Sequence, residues 1–97
     1  MKYYLYILQT LDDKLYCGIA KDLLKRFQEH ITKKGAKYTK VHPPKEIVYA
    51  CVFEDKSGAL KEEYRIKKTL SRSEKIVLIE ENKQKTNKLL EKLKNMQ

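Results

Sequence analysis

The sequence predicts a small α/β (α+β) domain in which a three-stranded antiparallel sheet is flanked by helices. Two observations carry this prediction. Apolar runs of strand length occupy residues 3–10, 15–19 and 47–53, and helical periodicity follows the second and the third run. The predicted order is β-β-α-β-α-α with a C-terminal amphipathic helix. A chain of 97 residues has the length of one domain with a single modest core.

The first two strands are predicted to form a β-hairpin. The first apolar run is rich in Tyr, Leu and Ile on both alternating faces, which is typical of a buried strand, and the second run follows a turn at Asp12-Asp13. A two-residue turn there would place Tyr6 and Tyr16 on opposite faces, because a register change of one residue moves every side chain to the other face. A three-residue loop, residues 12–14, would place both tyrosines on one face.

The first helix is predicted to begin at Asp22, a suitable N-cap residue, and to end at about Ile31. Apolar residues at helical spacing form its predicted core-facing stripe: Leu23, Leu24, Phe27 and Ile31. Arg26 and His30 are one helical turn apart on an edge of this stripe, so we expect both at the rim of the core, where a substrate can reach them. The alternatives are an arginine that covers the core and a histidine at its boundary.

Positive charge is concentrated in the segment that begins just before this helix. The chain has 22 Lys and Arg against 13 Asp and Glu, a formal net charge of +9. Residues 21–45 hold eight basic residues against two acidic ones, so +6 of the +9 lies there. This concentration favours a polyanionic partner, because each neutralised phosphate releases counterions, although a solvated basic surface is the alternative. Residues 32–45, with Gly35, Pro43 and Pro44, are predicted to be an exposed basic loop.

Two helices are predicted after the third strand, one capped by Ser57 and extending to about Leu70, and one from Ser73 through Glu81. The apolar arc of the first comprises Ala59, Leu60, Tyr64, Ile66 and Leu70.

Glu63 falls in the middle of that apolar arc. An ionised carboxylate that faces a core is costly unless a cation or strong donors meet it, so Glu63 requires a partner, either a metal ion or Arg26. The alternative is a glutamate at the flank of the helix, paired with Lys67 four residues on.

The tail is predicted to form an amphipathic helix, with Leu89, Leu90, Leu93 and Met96 at one-sided spacing among lysines. We therefore divide the chain into a domain of residues 1–83 and a helix of residues 84–97 that docks on the same domain. The helix is also the candidate surface for a protein partner or a homodimer. Cys17 and Cys51 lie in apolar runs, which favours reduced thiols and a cytoplasmic location, and no membrane association is expected.

Several short motifs together resemble the GIY-YIG nuclease family. Tyr4-Leu5-Tyr6 and Tyr16-Cys17-Gly18 correspond to its two name-giving triplets, with Arg26 eight residues after the glycine and His30 four residues further. Tyr4 stands where the first triplet usually begins with Gly, and Cys17 replaces the Ile of the second. Residues 34–39 and 59–63 are similar to later signatures of small stand-alone bacterial members. The resemblance thus covers nearly the whole chain.

The resemblance implies a metal-dependent endonuclease that hydrolyses nucleic-acid phosphodiester bonds, with DNA expected as the partner ahead of RNA and DNA repair or recombination as a candidate role. The implied catalytic residues are Tyr6, Tyr16, Arg26, His30 and Glu63, with one Mg²⁺ (or Mn²⁺) ion held by Glu63. Because both tyrosines would line the site, the odd-length hairpin loop is predicted. The predicted nucleic-acid contacts are Lys25, Lys33, Lys34, Lys37, Tyr38 and Lys40, although Tyr38 could instead anchor its loop to the core.

Tyr6 is the first choice of general base and Tyr16 the second. A phenol has a pKa of about 10, so the site is expected to lower it, with Arg26 and the metal acting in that direction. Two other functions are compatible with the same fold: a non-catalytic nucleic-acid-binding module and a partner-binding subunit.

Overall fold

The computed structural model describes residues 1–32 and 35–96. In these residues the elements are β1 (Tyr3–Thr10), β2 (Leu15–Ala20), α1 (Leu23–Ile31), α2 (Lys37–Val41), β3 (Pro44–Phe53), α3 (Lys56–Thr69), α4 (Arg72–Glu81) and α5 (Lys83–Asn95). The strands form one antiparallel sheet in the order β2-β1-β3. The predicted α+β class with a three-stranded antiparallel sheet is confirmed.

The β1–β2 hairpin closes with a three-residue loop, residues 11–13. Thr10 N donates to Lys14 O at 2.9 Å, and Lys14 N donates to Thr10 Oγ1 at 2.7 Å. Asp13 has a φ of 61° in the left-handed region, which Asp tolerates better than most residues. The predicted odd loop length is therefore confirmed, but the loop begins one residue earlier than predicted because the side chain of Thr10 closes it.

The hairpin register places the two tyrosines on the same face of the sheet. Tyr6 lies opposite Gly18, and Leu8 lies opposite Tyr16. Since residues directly opposite each other share a face, and so do residues two apart in a strand, Tyr6 and Tyr16 project to the same side.

Each face of the sheet has its own apolar cluster. On one face Leu5, Ile7 and Tyr49 pack with Ile66 of α3 and Leu78 of α4. On the other face, the one that carries Tyr6, the residues from the sheet pack with Leu23 and Phe27 of α1 and with Leu89, Leu90 and Leu93 of α5. Helices α1 and α5 thus cover one side of the sheet, and helices α3 and α4 cover the opposite side.

Helix α5 lies against β3. Thr86 is buried, and its Oγ1 accepts a hydrogen bond of 3.2 Å from Ala50 N, a donor on the free edge of the sheet. Met96, which was predicted to belong to the apolar stripe of this helix, is 71% exposed because it lies past the last helical residue. None of the described helices is both long and apolar enough to cross a bilayer.

Three local predictions were wrong. Helix α3 is capped by Asp55 rather than Ser57, since Asp55 Oδ1 accepts from Gly58 N at 2.9 Å. Helix α4 is capped by Ser71 rather than Ser73, because Ser71 and Glu74 form a reciprocal capping box. The segment of residues 32–45, predicted to be a loop, contains α2 and the first residues of β3. Helix α2 is too short and too rich in lysine to show apolar periodicity in the sequence.

Candidate active site

A buried hydrogen bond joins Tyr6 on the central strand to His30 in the last turn of α1. Tyr6 Oη lies 2.9 Å from His30 Nε2, and the two residues are 1% and 0% exposed. The sequence predicted both residues for the site but placed His30 at the rim of the core. That placement was wrong, because the segment that includes α2 covers the imidazole.

Gly35 and Thr39 form this cover. Thr39 is fully buried, and its Oγ1 lies 2.6 Å from His30 Nδ1. A Cβ atom at Gly35 would lie 2.5 Å from the same nitrogen, closer than real contacts allow. Only glycine therefore permits the chain to approach the ring this closely. Sequence reasoning did not select Thr39 as a site residue, although it lies in the signature of residues 34–39 together with Gly35.

Gly18 makes room for the Tyr6 phenol. It lies directly opposite Tyr6 in the sheet. A Cβ atom at Gly18 would lie 2.6 Å from Tyr6 Oη and 3.3 Å from Tyr16 Cε2. The missing side chain thus lets the Tyr6 ring cross the neighbouring strand and reach His30.

Tyr16 and Tyr38 form an aromatic layer over the hydrogen-bonded pair. The ring centroids of Tyr16 and His30 are 5.4 Å apart in an edge-on arrangement, and those of Tyr16 and Tyr38 are 5.6 Å apart and stacked. Tyr38 was predicted either to stack on a base or to anchor its loop. The structure has the loop-anchoring arrangement, while 37% of Tyr38 stays exposed.

His42 and Asp12, which sequence reasoning did not select, hold the far end of α2. The ring of His42 lies 4.6 Å from that of Tyr38, and His42 Nδ1 lies 2.6 Å from Asp12 Oδ2 in the hairpin loop. These residues are 30 positions apart, so no local pattern in the sequence could pair them.

Arg26 lies one turn before His30 on α1 and is half-buried. Its Nη1 is 3.2 Å from Glu29 Oε1, and a third of its side chain is exposed (33%). The guanidinium is close enough to Tyr6 to favour the ionised form of the phenol. Tyr6, Arg26 and His30 therefore meet as predicted, although the ion-pair partner of Arg26 is Glu29 and not Glu63.

The environment raises the pKa of Tyr6 well above the ordinary value for a phenol. Burial is the largest cause, the neighbouring Tyr16 adds to it, and Arg26 opposes both. The expectation that the site lowers this pKa was wrong for the free protein, because one half-buried guanidinium does not offset the loss of water around the hydroxyl. Tyr6 is thus a neutral hydroxyl at pH 7.

Burial, and secondarily the charge of Arg26, lowers the pKa of His30 to about 4. The imidazole is therefore neutral at pH 7, with one nitrogen that donates and one that accepts.

This lowered pKa predicts a pH dependence of stability. The unfolded chain binds a proton at His30 below about pH 6.5, whereas the folded chain does not until about pH 4. Since the unfolded state binds more protons in that window, the free energy of unfolding should decrease by roughly 3 kcal/mol as the pH falls from 6.5 to 4. Above pH 6.5 this group should contribute no pH dependence.

Urea unfolding at pH 7.5, 6, 5 and 4 would measure this decrease. His30→Gln should flatten the profile in that window, and His42→Gln serves as the control for the second histidine. An unchanged slope in His30→Gln would contradict the assignment.

Glu63 lies on α3, on the face of the sheet opposite Tyr6. Its side chain is mostly buried (19% exposed), and its Oε2 is 3.3 Å from Lys67 Nζ. The partner in the structure is therefore Lys67, the alternative that the sequence had left open. Lys67 Nζ also lies 5.7 Å from the centroid of the Tyr16 ring. Lys67 thus connects the carboxylate to the aromatic layer.

The neighbouring Glu62 has a different environment. Both of its carboxylate oxygens accept hydrogen bonds from Arg65, at 2.7 and 2.8 Å. The apolar arc predicted for α3 was partly wrong, because Leu60 and Tyr64 are 44% and 65% exposed. The inward side of the helix instead follows the spacing Ala59, Glu63, Ile66, with both apolar members fully buried.

A cleft of about 200 Å³ opens at the free edge of β2, lined by Ile7, Leu15, Tyr16, Cys17, Lys67 and Lys75. A larger and more apolar cleft between α3 and α4 contains none of the predicted site residues. Both cysteines are free, and burial raises the pKa of the Cys17 thiol to about 12, so it is not a nucleophile. Within residues 1–32 and 35–96, no three His, Cys, Asp or Glu side chains converge to hold a metal ion.

Three of the predicted nucleic-acid contacts, Lys25, Lys37 and Lys40, are exposed. Lys37 and Lys40 lie on α2 on either side of Tyr38 and Thr39. The predicted contacts Lys33 and Lys34 lie outside the described residues. The covering segment of the site therefore carries positive charge on its outer side.

The site thus combines two phenols on one sheet face with an arginine and a histidine from the following helix. Residues 2–77 match the family model described as the GIY-YIG catalytic domain. The chain therefore belongs to the GIY-YIG family, which is a family of nucleases.

The relatives are small proteins of similar length. A UPF0213 protein of Staphylococcus saprophyticus is 50% identical over 80 residues, which cover 82% of this chain and 96% of that protein. A UPF0213 protein of Oceanobacillus iheyensis is 49% identical over 79 residues, which cover 81% and 91%. The solution NMR structure of the UPF0213 protein of Bacillus halodurans is 36% identical and has a TM-score of 0.57, covering 86% of this chain and 87% of that chain.

Proposed function

We propose that this protein is a Mg²⁺-dependent endonuclease that hydrolyses phosphodiester bonds, with DNA as its preferred substrate. The observation that carries the proposal is the buried hydrogen bond between Tyr6 and a neutral His30, with Arg26 beside it. Membership of a nuclease family supports the reaction class. The net charge of +9 supports a polyanionic substrate.

In this proposal Tyr6 acts as a relay and not as a preformed phenolate. The attacking water gives a proton to Tyr6 Oη while the Tyr6 hydroxyl gives its own proton to His30 Nε2. The water oxygen bonds to phosphorus while the bond from phosphorus to the leaving oxygen breaks, the leaving oxygen takes a proton from solvent, and the imidazole becomes an imidazolium. Because both transfers occur together, the phenol never has to ionise in surroundings that raise its pKa.

Arg26 supplies positive charge at the position where the phosphate would develop negative charge. Its guanidinium is half-buried next to Tyr6, so a phosphate that pairs with it is held beside the hydroxyl. Pairing with a phosphate also partly neutralises Arg26, which removes one cause of the low pKa of His30 and makes the imidazole a better acceptor.

The donor set fits Mg²⁺ (or Mn²⁺) in the way this ion usually binds, with one carboxylate from the protein and the remaining positions filled by water and phosphate oxygens. Glu63 would hold it, since its neighbour Glu62 is engaged by both donors of Arg65. When bound, the ion supplies stabilisation of charge on the phosphate and the leaving oxygen. Lys67, which neutralises Glu63 in the free protein, would then be available to the substrate.

Arg26→Ala and Glu63→Ala should each reduce cleavage by about 10²–10³-fold, the usual effect of removing one group that stabilises charge in the transition state. The matched controls are Arg65→Ala and Glu62→Ala. They remove the same two types of side chain from an ion pair on the surface of α3. We expect near wild-type cleavage in both controls and unchanged circular dichroism in all four variants.

The assay would use labelled single-stranded, duplex and branched DNA and the matching RNA, with Mg²⁺, Mn²⁺ or EDTA. Cleavage in EDTA would contradict metal dependence, and faster cleavage of RNA would contradict the DNA preference. Preference for branched or damaged DNA would support a role in repair or recombination. Activity that persists in both Arg26→Ala and Glu63→Ala would mean that a different site on the protein, or a contaminating nuclease, cuts the substrate.

A second candidate function is a nucleic-acid-binding module without turnover. The ion pair between Lys67 and Glu63 favours it, because this pair neutralises the carboxylate without a metal. This function predicts salt-sensitive binding that survives Glu63→Ala, together with no cleavage by the wild-type protein on any substrate of the panel.

A further inference from the structure

A chain of three hydrogen bonds runs from Tyr6 through His30 to the backbone of the segment preceding α2. Tyr6 Oη lies 2.9 Å from His30 Nε2, His30 Nδ1 lies 2.6 Å from Thr39 Oγ1, and Thr39 Oγ1 lies 3.0 Å from the carbonyl oxygen of Ala36. A neutral imidazole carries one hydrogen, and so does each hydroxyl. Three hydrogens therefore serve three contacts.

Only one direction of this chain uses all three hydrogens. A carbonyl oxygen can only accept, so Thr39 donates to Ala36, His30 Nδ1 donates to Thr39, and Tyr6 donates to His30 Nε2. In the reverse direction Thr39 would donate to Nδ1 and Nε2 would donate to Tyr6. The hydrogen bond from Thr39 to the Ala36 carbonyl oxygen would then be lost, and the Tyr6 hydrogen would need an acceptor other than His30.

We propose that Thr39 is a positioning residue that holds His30 in the tautomer with its hydrogen on Nδ1, so that Nε2 is free to accept the proton of Tyr6. The proposal deepens the proposed nuclease function and rests on it, because the relay from water through Tyr6 requires an acceptor at Nε2. In that step the proton of Tyr6 forms the new N–H bond at Nε2, and the other ring hydrogen stays on Nδ1, where it donates to Thr39 Oγ1. The proton returns through Tyr6 to water after the product leaves.

The surroundings of Thr39 hold it in place. The residue is fully buried, Gly35 lies against the imidazole on the same side, and Tyr38 stacks on Tyr16 one residue before it. The contact of His42 with Asp12 attaches the end of the helix to the hairpin. Burial also keeps His30 neutral at pH 7, which is the state in which its tautomer matters.

The tautomer can be read directly from the free protein. A long-range ¹H–¹⁵N correlation spectrum distinguishes the protonated from the unprotonated ring nitrogen, and His42→Gln assigns the signals, since the chain has two histidines. We expect the hydrogen of His30 on Nδ1 in the wild-type protein and in Thr39→Ser, which keeps the hydroxyl. Thr39→Val, which replaces the hydroxyl with a methyl group, should move the hydrogen to Nε2.

Cleavage assays supply the second readout. Thr39→Val should lower kcat by about 10²-fold with KM within about twofold, the direction expected when a histidine is held in the wrong tautomer, and Thr39→Ser should restore most of the rate. The spectrum does not depend on cleavage, so failure of the proposed nuclease function would leave the tautomer assignment intact.

Three results would overturn the inference: a wild-type His30 with its hydrogen on Nε2, a Thr39→Val variant that keeps the wild-type tautomer, or a changed tautomer with unchanged kcat. If Thr39→Val fails to fold, the spectra of the wild-type protein and of Thr39→Ser still test the proposal. Absence of the Nδ1 hydrogen in either protein would contradict the role assigned to the hydroxyl.

Discussion

Tyr6→Phe is expected to reduce kcat for phosphodiester cleavage by about 10³-fold or more, with the fold retained. The substitution removes a single oxygen from a fully buried ring, so the packing on the sheet is preserved. It removes the hydroxyl that contacts His30 Nε2 and that, in the proposed relay, would pass the proton of the attacking water to this nitrogen. The buried imidazole nitrogen loses its donor, which should lower the free energy of unfolding by roughly 1–3 kcal/mol.

Single-turnover cleavage of the best substrate would measure the rate, and urea unfolding would measure the stability. Tyr4→Phe is the matched control, because Tyr4 lies on the same strand and packs on the same face, yet is only half-buried. A full loss of cutting in Tyr16→Phe together with wild-type rates in Tyr6→Phe would exchange the roles of the two phenols and contradict the relay through His30.

Gly18→Ala is expected to have the second largest effect, although it changes no functional group. Its Cβ would lie 2.6 Å from Tyr6 Oη and 2.8 Å from Tyr6 Cζ, so the phenol must move. Displacement of a reacting group by about 1 Å can cost on the order of 10²-fold in rate, and overpacking in a core costs about 1–3 kcal/mol. We expect both losses in this one variant.

The tyrosine hydroxyl offers a direct check of this displacement. Slow exchange of the Tyr6 hydroxyl proton, measured by NMR, should be lost in Gly18→Ala if the hydrogen bond to His30 breaks. Gly58→Ala is the control, because its Cβ would meet Phe53 at 3.2 Å and would not contact Tyr6 or His30. Wild-type cleavage by Gly18→Ala would mean that the phenol need not lie where the structure places it.

The strands and the long helices could be predicted because their signals are local. The first strand was predicted as residues 3–10 and was found there, and Asp22 caps α1 as expected. The shared face of Tyr6 and Tyr16 was predicted from the family resemblance, which required a hairpin loop of odd length. Each of these features depends on residues within about ten positions of one another.

The features that were missed depend on segments that lie far apart in the chain. Thr39 reaches His30 only because Gly35 lets a short, lysine-rich segment close over the imidazole. The salt bridge that engages Glu63 is local, but the burial of this carboxylate depends on how α3 rests on the sheet. No periodicity in the sequence distinguishes a histidine at the rim from one that is fully enclosed.

The sequence by itself determined the class of fold, the family, and which side chains are available for chemistry, because residue types at fixed spacings carry that information. The tertiary structure decided the protonation behaviour of those side chains. Burial raises the pKa of Tyr6 and lowers the pKa of His30, so both side chains resist ionisation more strongly than they would in water. The physical reason is that protonation states depend on the water and charge around a group, and these are set only when distant segments pack together.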